Sequence, residues 1–411
     1  MASKRIMIVE PASSGHHMAL YVRYAIRALV SEGWEISILT SKNAASSAAF
    51  EIAKKEFSCE PKIYLMPDLV NKGSANPFSK LLSQLLDWWA LRTAFRRANK
   101  AWRPDIVYVP TIDWVAKASE LVGSPFGRVP FVALYLSPKH HFRLAGLGGS
   151  GRQERLYKQL FGRFLRIKSL KQLLVVDELF YDVAGSLHAT ESKKVKFIPD
   201  FAEVRGEWDR KRARQAYGLA PSDKVVLVYG GLTERKGICQ LLSAVTDESV
   251  DRNVAVLLAG KPSCRIASLL ESPEYEGLIA RKRIIARLEF HDSSEEQKAF
   301  VASDAVWLGY VDGFLGSSGV LYQSIHCGKP VIAMRGGVIG RTVTKNQIGF
   351  CVNPDSTAEV AAALNDFPTL ERIASERRNV FVALAARHSA EAHMAMLQSV
   401  VGSPVESPQI L

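Results

Sequence analysis

Short unbroken apolar runs alternate with longer stretches of helical spacing, and the alternation occurs twice along the chain. Arg5-Ile6-Met7-Ile8-Val9 is apolar enough for a strand covered on both faces of a parallel sheet. Glu10 to His17 is turn-rich. Met18 to Ser31 spaces its apolar residues as a helix does, Gly33 stops it, and Glu35-Ile36-Ser37-Ile38-Leu39-Thr40 is the next strand. Strand, helix and strand in that order make a βαβ unit. Further strands are expected at Pro61–Met66, Asp105–Val109, Pro130–Leu136, Leu173–Val176 and Lys194–Ile198, with a sharp helix-to-strand turn at Arg103-Pro104-Asp105. Pro199 ends this series, and the charged segment from Arg205 to Arg214 reads as a linker passing into a new helix.

The second half restarts the pattern. Lys224–Tyr229 is expected as a strand, Gly230–Gly237 as a loop, Ile238–Val245 as a helix and Asn253–Ala259 as a strand before Gly260-Lys261-Pro262. Arg287–Phe290, Ala305–Leu308 and Pro330–Met334 are the remaining expected strands, and the residues after Thr357 read as helical. The fold class is therefore α/β, with two doubly wound, Rossmann-like domains facing across a cleft. The expected boundaries are 1–203, 204–385, and 386–411 as a C-terminal helix packing back on the first domain before a loose tail. Ligands of such sheets bind at the carboxyl ends of the strands, where Pro11–His17, Ser137–His141, Gly230–Gly237 and Asp312–Gly319 lie.

Composition narrows the class. The chain has 411 residues, suited to two α/β domains, and is 47% hydrophobic and 23% charged, as a soluble globular protein is. No apolar run reaches transmembrane length, and Met1 to Arg5 lead straight into a strand rather than a signal peptide. The five cysteines are scattered without a CxxC, which argues against a zinc site or a disulfide framework and for reduced thiols in the cytoplasm. The net charge of +12 calls for an acidic partner such as nucleotide phosphates or anionic lipid. No nucleic-acid-binding motif accompanies that charge.

Ser317-Ser318-Gly319-Val320-Leu321 is the most informative segment. It reads as a loop opening a helix that Gly328-Lys329-Pro330 ends. Free N–H groups and the positive end of a helix dipole can hold a phosphate there. Ser317 and Ser318 can cap the helix or donate to phosphate oxygens, and Gly319 lets a ligand approach the backbone.

With these motifs in this order, the chain resembles a retaining glycosyltransferase of the GT-B fold, most like the large family 4 group. Tyr229-Gly230-Gly231-Leu232-Thr233-Glu234-Arg235-Lys236-Gly237 is similar to that family's glycine-rich loop, Val195–Asp200 to its strand before the interdomain crossing, and Gly349–Val352 with Asp355 to its donor-site segment. The resemblance implies transfer of a sugar from a nucleoside diphosphate donor, UDP or GDP, to a saccharide, glycolipid or metabolite hydroxyl. It implies retention, and it implies neither metal nor cofactor. On it, Lys236 is the first choice to meet charge on the departing diphosphate, a charge-assisted contact of about 1.5–3 kcal/mol. Gly230, Gly231, Gly260, Asp312, Ser317, Ser318, Gly319, Val320 and Gln323 complete the expected donor site.

The chain also departs from that pattern. Where the family often has an arginine after the loop glycine stands Gly231, and Arg235 is the candidate to replace its charge. Aligned on Cys327-Gly328-Lys329-Pro330, the family's paired glutamates fall on Leu315 and Gln323. Gln323 can still accept from ribose hydroxyls through its amide oxygen. On the acceptor side, Gly15, His16 and His17 follow the first strand, where the histidines can bind acceptor or phosphate or merely cap a helix. His140 stands where resembling enzymes carry a cleft histidine.

Arg152 to Lys171 is basic and amphipathic, as a helix on an anionic membrane is, and Leu81–Arg97 shows a similar mixture. Core-packed helices with solvated faces are the alternative. If the membrane reading holds, the protein sits peripherally on the inner face. Two other functions remain open: an inactive binding or scaffold subunit, which the missing glutamates favour, and a sugar-nucleotide epimerase.

Overall fold

The computed structural model describes residues 4–13, 17–70, 77–138, 151–187, 190–203, 208–289, 293–311 and 313–402. The chain divides into two units, one of residues 1–199 with 390–411 and one of residues 200–389. Among the described residues no helix is long and apolar enough to cross a membrane.

Apolar runs become central strands because both faces of a parallel sheet are covered. In the first unit β1 (Arg5–Val9), β2 (Glu35–Ser41), β3 (Lys62–Met66), β4 (Ile106–Val109), β5 (Phe131–Tyr135), β6 (Leu170–Val175) and β7 (Val195–Phe197) form one sheet. All its pairs are parallel, in the order β3-β2-β1-β4-β5-β6-β7. Ile6, Met7, Ile8 and Val9 are fully buried. The helix Ala390–Gly402 belongs to this unit. Leu397, Val400 and Val401 are buried, Gln398 donates to the Ala28 carbonyl at 2.9 Å, and Lys171 donates to the Val401 carbonyl at 3.1 Å.

The second unit holds β8 (Lys224–Tyr229), β9 (Val254–Ala259), β10 (Ile284–Arg287), β11 (Ala305–Leu308), β12 (Val331–Met334) and β13 (Gly349–Val352), again all parallel. Their order is β10-β9-β8-β11-β12-β13. Strand order reverses between β1 and β4 in one sheet and between β8 and β11 in the other. Sheets of this kind take ligands in the crevice outside the carboxyl ends of the strands at such a reversal.

Two elements depart from expectation. The strand expected at Arg287–Phe290 starts at Ile284 and ends at Arg287; it is an edge strand only half buried, so its apolar signal is weak. The basic helix expected from Arg152 to Lys171 ends at Leu165, and Lys171 lies in β6. Phe161, Phe164 and Leu165 face the core, Arg163 donates to the Leu121 carbonyl at 2.8 Å, and Arg166 pairs with Glu191 at 2.7 Å.

Candidate functional site

In the second unit the crevice between β8 and β11 is built by close backbone packing. Gly230 (φ +89°) and Gly260 (φ +137°) meet so tightly that a β-carbon on Gly260 would sit 2.0 Å from the Gly230 carbonyl oxygen. Gly237 lies equally close to Gly309, which a β-carbon would approach to 2.0 Å. Only glycine fits at such contacts. The loop is tied down further by Val311 N–H to the Arg235 carbonyl at 2.9 Å and Trp307 Nε1–H to the Lys236 carbonyl at 2.8 Å.

That loop folds Lys236 back over the end of β8. Its Nζ donates to the Tyr229 carbonyl and lies 3.2 Å from where a Gly230 β-carbon would be. Burial, and then the neighbouring Arg235 charge, lower its pKa to about 8. Its hydrogen-bond partner is a neutral carbonyl, so an arriving anion would gain a charge-assisted contact. Arg235 is exposed, with its guanidinium 4.9 Å from the Phe314 ring centroid and 5.8 Å from that of Tyr310, and these two rings stack at 4.4 Å. The space in front of Gly231 is open.

The helix Gly319–His326 follows β11. Ser318 stands at its N-cap but makes no side-chain cap bond; its Oγ lies 2.9 Å from the Tyr310 hydroxyl. The Ser317 hydroxyl donates to the Tyr322 hydroxyl at 3.2 Å. Both serines are therefore held by tyrosines, and Ser318 does not cap the helix, one of the two roles expected of it. The first N–H groups of a helix, here those of Gly319 and Val320, have no acceptor within it, and Gly319 faces open space.

Gln323, one turn further, donates its amide N–H to the Glu296 carboxyl, which also accepts from the Tyr229 hydroxyl at 2.8 Å. Burial outweighs these two bonds and raises Glu296 to about 7. With its nitrogen on Glu296, the amide turns Oε1 away as a remaining acceptor. Glu296 escaped the sequence reading: it comes from the crossover helix Ser293–Ala302, and no spacing within the Gln323 motif points to it. Lys261 is exposed on the turn after Gly260 and gives its carbonyl to Leu232 N–H at 2.8 Å.

The crevice between β1 and β4 in the first unit gathers a second polar group. Glu10, directly after β1, is fully buried and accepts from the Thr111 hydroxyl and from Ala12 N–H at 2.9 Å. Burial lifts it to about 7 against both bonds. His17 opens a π-helical turn, His17–Val22, and its Nδ1 lies 3.9 Å from Glu10 Oε2. Asp113 accepts from Leu136 N–H at 2.9 Å and Ser137 N–H at 2.8 Å, and burial raises it to about 6. From the sequence Glu10 reads as the start of a loop. The available signal was a carboxylate set directly after an apolar central strand. Gly15, His16, His140 and Asp312 lie outside the described residues, as does the loop Gly146–Ser150.

Comparison with known proteins fits this arrangement. Residues 209–385 match the model of the family Glycosyl transferases group 1. An uncharacterized glycosyltransferase of Methanocaldococcus jannaschii is 26% identical over 217 residues, covering 50% of this chain and 54% of that protein, about half its length. The structure of sucrose-phosphate synthase from Thermosynechococcus elongatus superposes with a TM-score of 0.69 at 17% identity, over 97% of this chain and 98% of that one. Anabaena HepE, solved with UDP and glucose, gives 0.65 at 16% identity over 97% and 100%. The fold is therefore that of the GT-B glycosyltransferases. The stretch that matches the glycosyl transferases group 1 model lies within its second unit.

Proposed function

We propose that this protein transfers a sugar from a nucleoside diphosphate sugar to a hydroxyl acceptor, with retention and without a metal. The observation that carries the reading is the half-buried Lys236 folded back on the end of β8, with the Gly319–His326 helix opening after the neighbouring strand β11, in the domain that matches glycosyl transferases group 1. Lys236 and the N–H groups of Gly319 and Val320 would hold the diphosphate, with Gly231 leaving room for it. Charge grows on those phosphates as the glycosidic bond breaks, so contacts that strengthen with that charge lower the barrier. Gln323 Oε1, oriented by Glu296, would accept from a ribose hydroxyl. Arg235, held over Tyr310 and Phe314, would add positive potential at the mouth of the site.

HepE was solved with UDP and with UDP-glucose, which favours UDP as the donor base here. The acceptor is a saccharide or lipid-linked hydroxyl, bound on the first unit near His17. Glu296 restores a carboxylate to a donor site whose sequence lacks the expected glutamates, which weighs against an inactive scaffold. Incubating the protein with UDP-glucose and a panel of hydroxyl acceptors, with and without Mg²⁺, and reading the product anomer by NMR tests the proposal. An α-linked product formed regardless of metal is expected. Donor isomerisation without acceptor, or no turnover of any nucleoside diphosphate sugar, would sink it.

A further inference from the structure

The helix Pro77–Ala101 in the first unit buries one side and leaves the other bare. Gln84, Asp87, Trp88, Leu91, Phe95 and Ala98 face the core. On the opposite side Leu82 (51% exposed), Leu86 (49%) and Trp89 (62%) face outward, and Phe78 shares their arc. At about 100° per residue these positions fall within a quarter of the circumference, a single stripe about 17 Å long. Scattered exposed leucines are ordinary; a stripe of large apolar side chains on one long helix is not.

The same arc continues along the helix into Arg96, Arg97 and Lys100, all exposed and none ion-paired among the described residues. The only acid in the helix is Asp87, on the buried side. The face is thus apolar at one end and purely cationic at the other, in a chain of net charge +12. Apolar side chains enter the headgroup boundary to a depth of about 5–10 Å, tryptophan favours that level, and lysine and arginine meet anionic headgroups beside it. We infer that this face, and not the basic helix Gly151–Leu165, docks the protein on an anionic phospholipid surface. The helix Gly151–Leu165 spends Phe161, Phe164 and Leu165 on the core, whereas Leu82, Leu86 and Trp89 are left for the bilayer.

Vesicle co-sedimentation tests this on the intact protein, independently of any transferase activity. Vesicles of phosphatidylcholine alone are compared with vesicles containing phosphatidylglycerol as well. The wild type is expected to sediment with the anionic vesicles only. The pair Arg96→Gln with Arg97→Gln should weaken binding about thirtyfold, and Leu86→Ser with Trp89→Ser should abolish it. All these positions are exposed, so circular dichroism and melting temperature should stay at wild-type values. Failure of the wild type to bind anionic vesicles would overturn the inference, as would undiminished binding by the Leu86/Trp89 pair. A concentration-dependent dimer in solution that the same pair dissolves would assign the face to a second copy instead.

Discussion

At the scale of single residues, the second unit's crevice depends on a lysine held short of full charge. An ammonium with a pKa of about 8 loses its proton as pH rises through that value. Diphosphate affinity should therefore fall as pH rises above about 8. Lys236→Arg, whose guanidinium stays charged, should flatten that fall in a titration of UDP across pH. Gln323 offers a second check. If its amide oxygen meets ribose, Gln323→Ala and Glu296→Ala should each weaken UDP about fivefold and leave inorganic pyrophosphate unchanged. Equal losses for both ligands would place Gln323 elsewhere. Glu10 makes a prediction about stability. Its folded pKa of about 7 lies above the unfolded value, so the native state holds the extra proton between the two. Its contribution is fully present below the unfolded pKa and is lost as pH rises through 7. Glu10→Gln should remove that loss, and thermal melts from pH 5 to 8 should show the variant gaining on the wild type by on the order of 3 kcal/mol.

At the scale of elements, the strands beside both reversals were legible, because β1, β4, β8 and β11 are apolar runs buried on both faces. The edges were less so: β10 was displaced, and β13 is mostly half buried. The glycine-rich loop and the helix start after β11 were also legible, since glycine, serine and a following apolar helix mark them locally. Glu296, Glu10 and Asp113 were not, because each owes its role to a partner distant in sequence: Gln323, Thr111 and Leu136. Gly260 shows why the loop needs its glycines. Gly260→Ala would drive a β-carbon into the Gly230 carbonyl at a backbone angle that other residues rarely adopt. A loss of about 2–4 kcal/mol in denaturant unfolding is expected, together with loss of UDP binding.

At the scale of the whole molecule, the chain's last described helix completes its first unit. His393 is fully buried there, its Nδ1 2.8 Å from the Pro199 carbonyl, and burial lowers its pKa to about 4. Leu397→Ala should cost about 2–5 kcal/mol in unfolding experiments. The two units each present a polar cluster at a strand reversal, and the donor belongs to the one that carries Lys236. Isothermal titration of UDP into the wild type and into Lys236→Met tests that assignment most directly. Binding by the wild type is expected, with a loss of about tenfold to a hundredfold in the variant and the melting temperature retained. Equal affinity in the two proteins, or no binding of UDP or any other nucleoside diphosphate by the wild type, would contradict it.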